Sequence, residues 1–113
     1  MGDIVYIDQE DGKKRVMNNA KLYARLLTKF RDETGIDPIF AALDAGNYEE
    51  AQGLAHTVKG ITANLSIKEL NLRIQELEAR IKAKDVGNEA IEAVKTAFAE
   101  TMKRIDKVIE ENA

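Results

Sequence analysis

Apolar residues recur at three- and four-residue intervals along most of the chain, the spacing of amphipathic helices. A short apolar run, Ile4 to Ile7, reads as an extended segment lying on the outside of the fold. Asp8 is then an N-cap for a short helix to about Met17, weakened by Gly12. Asn18 or Asn19 caps a second helix with the stripe Leu22, Tyr23, Leu26, Leu27 and Phe30, which Gly35 ends. Asp37 followed by Pro38 reads as a cap with proline at the first helical position, opening a short helix with Ile39, Phe40 and Leu43 that stops at Gly46. Asn47 and Glu50 have capping-box spacing, as do Ser66 and Glu69, and each pair marks a fresh helix start. The stripe after Ser66, namely Ile67, Leu70, Ile74, Leu77 and Ile81, falls within roughly 80° of arc and is committed to a core. Gly87-Asn88 is a break before a last helix carrying Ile91, Val94, Phe98, Met102, Ile105 and Ile109.

Short connections between long amphipathic helices favour antiparallel neighbours. The expected fold is therefore all-α: an antiparallel up-down four-helix bundle with short extra N-terminal helices, in one domain spanning residues 1–113. A composition of 44% hydrophobic and 33% charged residues suits a globular chain and argues against disorder. The net charge of −3 and pI near 5.2 show no basic stripe and give no reason to expect nucleic acid. With no cysteine, disulfides and thiolate metal sites are excluded, which fits a cytoplasmic protein. The N-terminus lacks a signal peptide, Tyr6 breaks the acylation pattern that Gly2 would begin, and no apolar run is long enough to span a membrane.

Candidate chemistry centres on the only histidine, His56. In a helix whose apolar face is Ala51, Leu54, Ala55, Val58, Ile61, Thr62 and Leu65, His56 points about 150° from the centre of that face. Its outward neighbours are Gln52, Gly53, Lys59 and Gly60. Each helical glycine costs about 1 kcal/mol relative to alanine, so close access to the imidazole is the functional reading of Gly53 and Gly60. The plainer reading is an ordinary surface histidine beside a solvated lysine. Metal binding is poorly supported, because one imidazole stands without thiols or a carboxylate four residues away. Isolated glycines make no phosphate loop, and the parts of a serine or cysteine nucleophile are missing. The expectation is a protein without its own nucleotide site and with no resident cofactor or metal.

The run Ala55-His56-Thr57-Val58-Lys59-Gly60, with Asn64-Leu65, Leu70 and Leu77-Glu78 after it, resembles the histidine-containing phosphotransfer domain family. Leu22 to Phe30 and Ala42 to Asn47 resemble the family's leucine-rich helix and its approach to the histidine helix. The resemblance covers about Asp8 to Asp85, and the last helix matches in pattern alone. It implies a phosphorelay intermediate in two-component signalling. His56 would take a phosphoryl group on Nε2 and exchange it with a receiver-domain aspartate of a response regulator, or receive it from a histidine kinase. Under the same resemblance Lys59 meets the phosphoryl charge as a mobile cation, Gly60 clears space for the partner, and Glu78 accepts a hydrogen bond from Nδ1. Glu78 is read equally well as a flank charge paired with Lys82, itself a candidate second basic residue.

Val58 stands where the family usually has leucine. Ser66 replaces its usual glycine, a change expected to be harmless because serine caps the next helix. Leu72, Ile61 and Leu65 are marginal apolar residues that would suit a partner patch. Two alternatives accompany this reading. One is a phosphoryl-accepting domain cut from a larger sensor or chemotaxis-type kinase, against which Met1 and the compact length weigh. The other is a helical adaptor that is never phosphorylated.

Overall fold

Packing of the predicted stripes produces an all-helical core. The computed structural model describes residues 4–112 and contains six helices among them: α1 (Gln9–Lys14), α2 (Ala20–Glu33), α3 (Asp37–Asp44), α4 (Tyr48–Asn64), α5 (Lys68–Lys82) and α6 (Asn88–Glu111). Helix α5 packs against both α4 and α6, α2 lies on α6, α3 on α4 and α1 on α2. Every member of the stripe Ile67, Leu70, Ile74, Leu77 and Ile81 is buried. Tyr23, Leu27 and Phe30 face them from α2, and Val94, Ala97, Ile105 and Val108 from α6. No helix among the described residues is long and apolar enough to cross a membrane. The readings of Met1 and Gly2 lie outside the described residues.

Several helix starts follow the sequence reading. Asp8 accepts from the Asp11 amide, Asn19 from Leu22 and Asn47 from Glu50. Glu50 does reach back, but it accepts from the Asn47 side-chain amide at 2.9 Å. Helix α1 stops at Lys14, short of Met17, because Met17 and Asn18 take positive φ in the turn to α2. Asp37 is the first residue of α3 and makes no cap; Ile36 occupies that place and is buried.

Ser66 differs most from expectation. It sits at φ +57°, in the left-handed region, and the N-cap of α5 is Ile67. Its hydroxyl donates to Asp11 at 2.5 Å and caps nothing. The free amides at this junction are met by the N-terminal segment instead. Lys68 N–H donates to the Tyr6 carbonyl at 2.8 Å, and Asp8 N–H to the Ser66 carbonyl at 2.9 Å, around an antiparallel bridge between Ile7 and Ile67. The Tyr23 hydroxyl donates to the Leu65 carbonyl at 2.6 Å from beneath. The extended run therefore straps the α4–α5 turn, while Ile4 and Val5 remain more than half exposed.

Candidate functional site

Small residues bring α4 and α5 close together. The buried row of α4 is Ala51, Ala55, Val58 and Thr62, so the side chains at the edges of the contact can meet across it. His56 follows Ala55 on the outer side, with its side chain 69% exposed. Glu78, on the flank of the α5 stripe, has its side chain only 4% exposed. Its Oε2 lies 3.3 Å from His56 Nδ1, while Oε1 lies 2.6 Å from Lys59 Nζ. Lys82 Nζ stands 3.9 Å from Oε2. Glu78 thus has His56, Lys59 and Lys82 all within 4 Å, the contact with His56 Nδ1 being one of proximity at 3.3 Å.

A buried carboxylate without partners costs several kcal/mol, so this cluster of cations is what makes Glu78 tolerable. Burial pushes its pKa up. The hydrogen bond and charge of Lys59, reinforced by Lys82 and His56, outweigh that and hold the carboxyl below its ordinary value. An ionised carboxylate facing Nδ1 favours the tautomer with its proton there, and that leaves a lone pair on Nε2. Nε2 makes no hydrogen bond to another described residue.

Lys59 rests on Glu78 with its side chain 30% exposed, a more occupied cation than the sequence suggested. Gly60 and Gly53 are both exposed, and a Cβ built on either would meet nothing within 4 Å. Neither glycine is demanded by packing. Ile61 is half-buried and Leu72 exposed, while Leu65 is buried but lines the groove between α2 and the end of α4.

Sequence reasoning missed a polar chain beside the histidine. Asn71 donates through Nδ2 to the Lys59 carbonyl at 2.8 Å and to Thr62 Oγ1 at 3.0 Å. Gln75 donates to Asn71 Oδ1 at 2.6 Å. Both line the shallow depression that His56, Lys59, Gly60 and Ala63 complete. The available signal was the polar row Asn71, Gln75, Glu78 and Lys82, which tracks one edge of the apolar stripe at helical spacing. This row ties α5 to the turn of α4 that carries Lys59.

Compared with known proteins, the chain matches no family model, no curated protein and no solved structure.

Proposed function

We propose that this protein is a histidine phosphocarrier, an intermediate of a two-component phosphorelay acting in the cytoplasm. The fold belonging to this reading is an antiparallel up-down bundle of α2, α4, α5 and α6, with α1 and α3 as short additions. The observation that carries it is the pairing of an exposed His56 with a buried, ionised Glu78 behind Nδ1. That pairing orients the ring and leaves the outer nitrogen as the nucleophile.

In the proposed step, Nε2 attacks the phosphorus of a receiver's aspartyl phosphate. A P–N bond forms as the P–O bond to the aspartate breaks, and the aspartate leaves as carboxylate. The Nδ1 proton stays on the ring, facing Glu78. Return transfer to another receiver runs the same exchange backwards, with Mg²⁺ supplied by that partner. Phosphoryl transfer asks mainly for positioning and charge stabilisation, which a bundle face can offer without a nucleotide site. Lys59 has a flexible stem and turns from Glu78 toward the phosphoryl oxygens, while Lys82 keeps the carboxylate paired.

The test is incubation with phosphorylated receiver domains and with histidine kinases plus ATP. The expected result is acid-labile, base-stable label on the wild type and none on His56→Gln. Absence of label from donors that phosphorylate a known carrier would favour the adaptor reading. Label persisting in His56→Gln would move the chemistry to another residue.

A further inference from the structure

The hydrogen bonds beside His56 have a direction, and a backbone carbonyl sets it. The Lys59 carbonyl can only accept, so the Asn71 side chain turns its nitrogen toward it and donates at 2.8 Å. The same Nδ2 donates to Thr62 Oγ1 at 3.0 Å. Thr62 accepts there because its own hydroxyl hydrogen is directed at the Val58 and Lys59 carbonyls, 2.9 and 3.0 Å away. Both Asn71 amide hydrogens are then in use, and Oδ1 is left as an acceptor. Gln75 answers with its nitrogen, donating to Asn71 Oδ1 at 2.6 Å. The chain ends at Gln75. Among the described residues nothing pairs with its second Nε2 hydrogen or with Oε1.

This open end lies at the histidine. Contacts between α4 and α5 pair Thr62 with Asn71 and, about two turns away, His56 with Glu78. Gln75 stands between Asn71 and Glu78 on α5, and at 100° per residue Asn71, Gln75, Glu78 and Lys82 fall within roughly 60° of arc. The depression of about 320 Å³ at the site is lined by His56, Lys59, Gly60, Ala63, Asn71 and Gln75. Within that lining Asn71 has no hydrogen left to give, and Lys59 is drawn to Glu78 at 2.6 Å. Gly60 and Ala63 have no polar side chain. Lys82 is directed to Glu78 and is not part of the lining. Gln75 is the uncharged side-chain donor that remains.

Resting on the phosphocarrier reading, we propose that Gln75 donates through its amide nitrogen to an oxygen of the phosphoryl group on His56 Nε2, and that Asn71 is the positioning residue that turns the Gln75 amide that way. The phosphoryl oxygens are charged acceptors, and hydrogen bonds to such acceptors are the strong ones. Lys59 meets those oxygens only by turning from Glu78, whose carboxylate is buried. A neutral amide adds a donor without unpairing that carboxylate. Gln75 is exposed, so its side chain is free to follow the phosphoryl group as it arrives. The contact makes and breaks no covalent bond; it stabilises the phosphorylated state relative to the free one.

The experiment compares wild type, Gln75→Ala, Gln75→Glu and Asn71→Ala in two readouts. The first is the equilibrium distribution of phosphoryl groups between this protein and an excised receiver domain, taken from forward and reverse transfer rates. That equilibrium depends on the free partners alone, so a role of Gln75 in docking would leave it unmoved. The expected result is a shift toward the receiver of about fivefold in Gln75→Ala, less in Asn71→Ala, and more in Gln75→Glu, which offers only acceptors. The second readout uses phosphoramidate, which loads His56 without a protein partner. The Gln75 side-chain amide resonance of wild type should move on loading, and should not move in His56→Gln. An amide that only ties the helices together would shift urea unfolding midpoints and neither of these signals. An unchanged equilibrium in both Gln75 variants, with the amide resonance unmoved in a loaded wild type, would overturn this inference and leave the phosphocarrier reading standing. A shift in Asn71→Ala without one in the Gln75 variants would overturn it equally. A wild type that takes no phosphoryl group at His56 from phosphoramidate or from receivers competent toward a known carrier would overturn the functional reading, and this inference with it.

Discussion

Gly12 and Gly60 are both helical glycines, and they stand in opposite situations. Gly12 is buried under the Tyr23 ring, and a Cβ there would collide with the ring and its hydroxyl. That ring cannot retreat, because it is buried and its hydroxyl is held by the Leu65 carbonyl. Gly60 is exposed beside His56 and would meet nothing. The same contrast extends to the polar groups around each. At the α4–α5 turn, Ser66, Asp11 and Tyr23 are satisfied within the chain, and the strap from Tyr6 to Asp8 completes the backbone hydrogen bonds. At the histidine, Nδ1 faces a carboxylate while Nε2 is left open. One region is explained by its internal contacts. The other keeps an open ring nitrogen and open space that the internal contacts do not account for.

Substitutions at these glycines sharpen the contrast. Gly60→Glu is expected to leave helix content by circular dichroism unchanged and to lower receiver-dependent transfer by about 100-fold, near 2.7 kcal/mol. Normal transfer in that variant would mean that the open space at Gly60 is not an approach surface. Gly12→Ala is expected to lower stability by about 1–3 kcal/mol in urea unfolding, through overpacking against Tyr23. Gly60→Ala should act in the other direction and stabilise by up to about 1 kcal/mol, since alanine is the better helix former and the space is open. If both alanine variants destabilise alike, the distinction between the two glycines fails.

The smallest effect concerns pH. The Glu78 carboxyl is held below its ordinary value in the folded protein, so it contributes stability above the unfolded pKa, near 4.5, and loses it as pH falls through the folded value. Glu78→Gln removes that contribution. The stability gap between wild type and this variant should narrow on acidification below about pH 4.5. A gap that stays constant with pH would show that the carboxylate's charge does not matter there. The Asp11 carboxyl is likewise lowered, first by the Ser66 hydroxyl and then by Arg15, and it remains in both proteins as an internal reference.

Much of this molecule is legible from spacing alone. The α5 stripe, the exposure of His56 and the caps at Asp8, Asn19 and Asn47 follow from local periodicity and side-chain chemistry. Ser66 was misread because its spacing to Glu69 fits a capping box, and nothing local reveals that Asp11, 55 residues away, takes the hydroxyl. The Asn71–Gln75 chain was missed because its partners lie across a helix interface, where an amide's target cannot be read from its own helix. The run of basic residues from Lys13 to Arg31 was hidden by the net charge, which averages it with an acidic remainder.

The most direct measurement is the position of the phosphoryl group on the protein. Phosphorus and nitrogen NMR of isotopically labelled protein, phosphorylated by a receiver or kinase, reports which nitrogen of which residue carries it. With Glu78 facing Nδ1, the account predicts a single phosphoryl group on Nε2 of His56. A phosphoryl group on Nδ1, on another residue, or on none while the donor phosphorylates a known carrier would contradict it.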